Sequence, residues 1–170
     1  MNNETLKLPD GAELVLRQAD LQDVASIVDL LSDDPLGSVR EGVEPDGGYG
    51  PYERAFADVA KDPNQLLVVA TDDQVVVSTL QLSVIPGLSR RGARRAQIEA
   101  VRVARDHRGR GLGLAMIQWA IREAAVHECA LIQLTSDKAR VRAHRLYERL
   151  GFTASHEGFK MIISDVGAAH

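Results

Sequence analysis

Ala96-Gln97-Ile98-Glu99-Ala100-Val101-Arg102-Val103, then Ala104-Arg105-Asp106-His107, then Arg108-Gly109-Arg110-Gly111-Leu112-Gly113, is the stretch around which the chain is organised. Its first part alternates polar and apolar residues, with β-branched side chains among them, and places Ile98 and Ala100 on a buried face. That is the pattern of a strand. Residues 104–107 make a polar break. Beyond the glycines, Leu114, Ile117, Ile121 and Ala124 recur at helical spacing. The glycines therefore sit where a strand hands over to a helix.

Such a junction suits an anion. The first N–H groups of a helix lack partners inside it, and the macrodipole adds partial positive charge there. Glycines remove the Cβ atoms that would hold an anion away, so successive amides can converge on phosphate oxygens. Arg108 and Arg110 add charge at the mouth; the alternative is a plain glycine-rich turn with solvated arginines. A P-loop would continue in Gly-Lys-Ser/Thr, and no lysine follows here. A dinucleotide fingerprint would need a third glycine at position 116, which is Met. What fits is Arg108-x-x-Gly111-x-Gly113 after Ile98-Glu99-x-x-x-Val103. This resembles the acyl-CoA-binding motif of the GNAT acetyltransferase superfamily, whose turn grips the pyrophosphate of coenzyme A.

The totals agree with one ordinary domain over residues 1–170 with room for a core. Hydrophobic residues make up 45%, and the net charge of −4 gives no general support to a nucleic-acid or anionic-membrane partner. Arginines do cluster locally, at Arg90, Arg91, Arg94 and Arg95 and again from Arg102 to Arg110. Cys129 is the only cysteine, so no internal disulfide and no multi-cysteine metal site can form. It precedes the apolar run Ala130-Leu131-Ile132 and reads as a buried, inert thiol. No apolar run reaches membrane-spanning length, and Met1-Asn2-Asn3-Glu4 has no signal-peptide pattern, so the cytoplasm is the expected location.

Residues 1–12 read as a short lead-in. Residues 13–17 form a first strand, and a helix follows with Asp20 as N-cap and Val24, Ile27, Val28, Leu30 and Leu31 as its apolar stripe. From Asp33 to Tyr52 the chain is rich in glycine, proline and acidic residues. This is a loop, either a solvated connection or a lid whose carboxylates attract a cationic amine. A helix over 52–61 follows, then strands over 65–71 and 74–85 joined by a tight turn at Asp72-Asp73. Leu88–Arg95 is a basic loop before the central strand. After the central helix come a strand over 130–134, a helix over 138–150 stopped by Gly151, and a strand pair, Phe152–Ser155 with Phe159–Ile163.

A second signature lies in Ala143-His144-Arg145-Leu146-Tyr147-Glu148-Arg149-Leu150-Gly151-Phe152. It resembles the Ala-x-x-Phe/Leu-Tyr-Glu-x-x-Gly-Phe segment that closes GNAT domains, so the resemblance spans residues 13–163. It implies a mixed α/β, mostly antiparallel sheet of about six to seven strands flanked by about four helices. Splayed central strands would hold acetyl-CoA. The cofactor-binding residues it implies are Val101, Arg102, Val103, Arg108, Gly109, Arg110, Gly111, Leu112 and Gly113. Arg140 stands where many members carry an asparagine that touches the cofactor.

By the same resemblance Glu99 matches the base that takes the amine proton, directly or through water, and Tyr147 matches the donor to the departing sulfur. Glu99 also reads as a solvent-facing strand residue, and Tyr147 as a core aromatic. His144 and His156 read as surface or packing histidines. The implied activity is acetyl transfer from acetyl-CoA to a primary amine, without a metal. A non-catalytic acetyl-CoA-binding module is the alternative, and a nucleotide-dependent enzyme is a third. Domains of this family often pair, which leaves a homodimer open; a nucleic-acid or membrane partner is not expected.

Overall fold

The computed structural model describes residues 2–33, 48–161 and 163. The chain divides into two compact units, residues 1–134 and 135–170. The first unit is built on a six-stranded sheet in the order β1 (Glu4–Lys7), β2 (Glu13–Gln18), β3 (Gln65–Asp72), β4 (Val75–Ile85), β5 (Arg94–Val103), β6 (Cys129–Leu134). Every neighbouring pair is antiparallel except β5 and β6, which are parallel. The mixed α/β class and mostly antiparallel sheet agree with the sequence reading. The lead-in over residues 1–12 does not: it contains β1, which pairs with β2 from Glu4↔Leu16 to Lys7↔Glu13. Four residues with one buried side chain, Leu6, are too short for periodicity to reveal.

Asp20 caps the entry to the first helix as expected. Its carboxylate accepts from Gln22 N at 2.8 Å, and Asp23 Oδ2 accepts from Asp20 N at 2.8 Å. A 3-10 turn at Leu21–Asp23 leads into α1 (Val24–Ser32), and α2 spans Gly50–Lys61. Pro51 lies in the first turn of α2, where its missing N–H is harmless, so the helix begins earlier than residue 52. The expected lid falls largely on residues 34–47, which lie outside the described residues.

The β3–β4 turn is one residue later than expected, at Asp73-Gln74, with φ of 44° and 70°. Both positive values match the hand of a two-residue hairpin turn. One face of the sheet packs Leu67, Val69 and Val76 against Ile27, Leu31 and Phe56 of α1 and α2. The other face carries Leu16, Val68, Ala70, Leu80, Leu82, Ala96 and Ile98, all buried. There α4 (Leu112–Val126) contributes Leu112, Met116, Ile117, Trp119 and Ala120. Each fully buried Leu or Ile in this layer stabilises by about 2–3 kcal/mol relative to an exposed one. Between β4 and β5 lies α3 (Ser89–Gly92), a single turn in which Arg90 and Arg91 take left-handed φ of 53° and 62°.

In the second unit α5 spans Val141–Arg149, shorter than expected. Gly151, at φ 89°, ends it, with Gly151 N donating to Glu148 O and Phe152 N to Tyr147 O. The expected strand pair is not formed among the described residues: residues 152–161 have no ladder, Phe159 is 93% exposed, and Ile162, in the expected second strand, lies outside the described residues. Alternating apolar residues suggest a strand, but a strand exists only where another backbone pairs with it.

Candidate active site

Strand β5 is paired differently on its two sides. With β4 it pairs from Ile85↔Arg95 to Ser78↔Val103, but with β6 it pairs only from Arg94↔Cys129 to Ile98↔Leu134. Past Ile98 the β6 side of the strand has no ladder among the described residues. At that point the β4 side is irregular too: Gln81 faces Glu99 and Thr79 faces Arg102, so Ala100 and Val101 together oppose Leu80. Ala100 takes φ 54°, which marks a bulge. The strict alternation expected through Val103 breaks there, and Ala100, Val101 and Val103 are only half-buried.

The carbonyls of this segment show which way it faces. Arg102 O accepts from Ser78 Oγ of β4 at 2.6 Å. Val101 O accepts from Arg102 Nη1 at 2.9 Å, and Val103 O from Arg108 Nε at 2.9 Å. Guanidinium groups, instead of a strand, meet the carbonyls of Val101 and Val103.

The chain then turns through Arg105–His107 into the glycines. Gly109 has φ 79°, and Gly111, the N-cap of α4, has φ 94°. An L side chain at either position would be strained. At Gly111 a Cβ would also lie 2.8 Å from Pro9 Cδ, so the turn is seated on the loop before β2. Among the described residues no side chain caps α4, which leaves the amides of Leu112 and Gly113 at an open helix N-terminus. Leu112 itself is buried and pins the first turn to the core.

The two arginines at the mouth are held by carboxylates. Arg108 Nη2 donates to Asp33 Oδ2 at 2.8 Å, and Arg105 Nη2 to Asp33 Oδ1 at 2.8 Å. Arg110 Nε donates to Asp10 Oδ2 at 2.7 Å, and this bond foremost holds the Asp10 carboxyl below its ordinary range. His107 Nε2 lies 3.1 Å from Asp72 Oδ2. These partners tie the turn to α1 and to the loop before β2, and neither Asp33 nor Asp10 is signalled by any sequence motif.

Glu99 projects from β5 beside Gln81, on the face where α1 and α2 pack, and is exposed. It makes no hydrogen bond or ion pair among the described residues. Glu99, Val101, Arg102, Val103 and Arg108 to Gly113 thus fall together on one strand, one turn and one helix end. Tyr147 and Arg140 belong to the second unit. Tyr147, on α5, stacks edge-on with Phe152, ring centroids 5.9 Å apart. Arg140 precedes α5, and its carbonyl accepts from Ala143 N at 2.9 Å.

Cys129 begins β6, and burial pushes its thiol above the ordinary range. It stays a thiol at neutral pH. Among the described residues no cluster of His, Cys, Asp and Glu could hold a metal, and no helix is long and apolar enough to cross a membrane.

The sequence model of the acetyltransferase (GNAT) family matches residues 24–152. Among solved structures, a transcriptional regulator from Bacillus halodurans is 44% identical, covering 88% of this chain and 99% of its own, with a TM-score of 0.83. A Trypanosoma brucei acetyltransferase is 24% identical over 88% of this chain and 99% of its own, TM-score 0.73. A predicted acetyltransferase from Clostridium acetobutylicum, with acetyl-CoA, is 17% identical over 89% and 97%, TM-score 0.70. In these last two the likeness is one of fold. No curated protein matches the sequence. With the family model spanning most of the chain, and both the bulged, half-paired strand and the glycine-capped helix in place, this chain belongs to the GNAT acetyltransferase family.

Proposed function

We propose that this chain moves an acetyl group from acetyl-CoA to a primary amine by direct attack in a ternary complex. The observation that carries the reading is the departure of β5 from β6 after Ile98, directly before an uncapped helix N-terminus. The arrangement fits an amide-bearing arm that ends in a pyrophosphate. The arm's N–H groups would take the carbonyls of Val101 and Val103 in place of Arg102 and Arg108. The pyrophosphate would take the amides from Gly109 to Gly113, and the freed Arg108 and Arg110 would add charge. Arg140 is a further candidate for the cofactor.

Acetyl-CoA, when bound, supplies an acyl thioester. An alkylamine is protonated at neutral pH, its pKa being ~10, and must lose a proton before its nitrogen can attack. Glu99, exposed and without a partner among the described residues, accepts that proton directly or through water. As the new C–N bond forms and the C–S bond breaks, Tyr147 hands a proton to the sulfur. Holding the two reactants together contributes much of the acceleration, helped by a hydrogen-bond donor aimed at the thioester oxygen.

The description of the Bacillus halodurans relative as a transcriptional regulator favours one second reading, a module that binds acetyl-CoA without turnover. Release of free CoA across a panel of amines, amino sugars, amino acids and peptides separates the two. Acceptor-dependent release supports the enzyme, and Glu99→Gln is expected to lower kcat by about 100-fold or more. Acetyl-CoA binding with no release from any acceptor supports the module.

A further inference from the structure

Resting on the reading of this site as an amine acetyltransferase, we infer that the acceptor is a hydroxylated primary amine bearing an anionic group at its far end. It would lie along β5 from Glu99 to Arg95. Arg95, Gln97 and Glu99 alternate along the strand and so share one face, in a column spanning ~13 Å. Cross-strand partners share that face: Glu99 is opposite Gln81, Gln97 opposite Ser83, Ser83 opposite Gln65, and Gln97 opposite Gln133. The apolar packing of Leu67 and Val69 against α1 and α2 therefore gives way to a strip of amides and a hydroxyl.

The strip is internally ordered, and its unused groups point to a ligand's chemistry. Gln65 Oε1 accepts from Gln81 Nε2 at 2.9 Å and from Ser83 Oγ at 2.6 Å, with Ser83 only 9% exposed. Both lone pairs of Gln65 Oε1 are thereby used, leaving Gln65 Nε2 to donate and Gln81 Oε1 to accept elsewhere. Gln97 Oε1 accepts from Gln133 Nε2 at 2.7 Å. Hydroxyl groups satisfy donors and acceptors of both kinds, whereas an apolar acceptor would leave them unpaired. A polyamine would need several carboxylates, and the strip has one, Glu99. At the other end Arg95 has no carboxylate partner among the described residues. Beside it the strained turn of α3 carries Arg90 and Arg91, both exposed.

Four acceptors test this, with kcat/KM measured by CoA release: glucosamine 6-phosphate, glucosamine, cyclohexylamine and spermidine. The expected order places glucosamine 6-phosphate first, by about tenfold over glucosamine, the range of one charge-assisted hydrogen bond. Arg95→Ala, checked by a thermal melt, should cost about tenfold on the phosphorylated acceptor and shrink its advantage over glucosamine to under about twofold. Gln81→Leu should lower kcat/KM for both sugars more than for cyclohexylamine. Cyclohexylamine or spermidine as the best acceptor would overturn the inference, as would an undiminished phosphate advantage in Arg95→Ala. Silence from all four, with acetyl-CoA bound by calorimetry, overturns this acceptor class and leaves amine acetylation standing. Failure to bind acetyl-CoA removes both.

Discussion

Replacing Gly111 by Ala probes the seat of the glycine turn before α4, and the comparison with Gly109 separates its two costs. Both glycines have positive φ, 94° and 79°, so an added Cβ at either meets backbone strain of about 1–2 kcal/mol. At Gly109 the new methyl meets nothing within 4 Å. At Gly111 it would stand 2.8 Å from Pro9 Cδ and 3.1 Å from Pro9 Cγ, ring atoms that cannot swing aside. Overpacking of this kind adds about 1–3 kcal/mol. Gly109→Ala should therefore lower Tm by about 2–8 °C, and Gly111→Ala by about 4–20 °C, at ~2–4 °C per kcal/mol for a chain this size. Pro9→Ala removes both offending atoms. In the double variant Gly111→Ala/Pro9→Ala the second change should recover at least half of the extra loss, measured by denaturant and thermal unfolding. Equal losses at the two glycines, or additive losses in the double variant, would refute the claim that Pro9 seats the turn.

Other expectations follow from the ion pairs. Arg17 grips Asp23 with two bonds of 2.6 and 2.8 Å. Burial alone would raise the Asp23 carboxyl, but these bonds and the Asp20 amide outweigh it and hold it below the ordinary range. A depressed carboxyl contributes stability above its unfolded pKa of ~3.9 and loses it as pH falls through the folded value. Asp23→Asn should thus cost about 2–4 kcal/mol near neutrality and flatten the acid limb of the unfolding curve. Asp33→Ala releases Arg105 and Arg108, and acetyl-CoA should bind about two- to fivefold tighter, with a steeper salt dependence by calorimetry. Tyr147→Phe should slow turnover while leaving acetyl-CoA affinity nearly intact; a collapse of affinity would make the side chain a packing residue.

The glycine turn, Asp20 as N-cap, the β3–β4 hairpin and α4 were all legible because each depends on neighbours in sequence. The bulge at Ala100 was not, since two residues opposing Leu80 is a property of the pairing and not of the alanine. The carboxylates at Asp10 and Asp33 were invisible for the same reason, lying 100 and 75 residues from the arginines they hold. Residues 152–161 show the converse: local alternation was plain, and no partner backbone makes it a strand. Of the polar strip, Arg95, Gln97 and Glu99 could be read as one face, but Gln65, Gln81 and Ser83 join them only through register.

The order of the sheet bears on how the molecule comes together. Each strand lies beside the one before it. β3 and β4 are joined by a two-residue hairpin, which closes with little loop entropy, whereas β2 and β3 are separated by residues 19–64, which carry α1 and α2. β6 also lies beside the strand before it but joins in parallel, so its connection has to cross the sheet. It must wait until the whole of α4 has been laid across the sheet, and it then zips onto β5 for only part of the strand's length. Hydrogen exchange during refolding should find the amides of β3 and β4 protected early and those of β6 late. The cleft is thus shaped by the final parallel pairing.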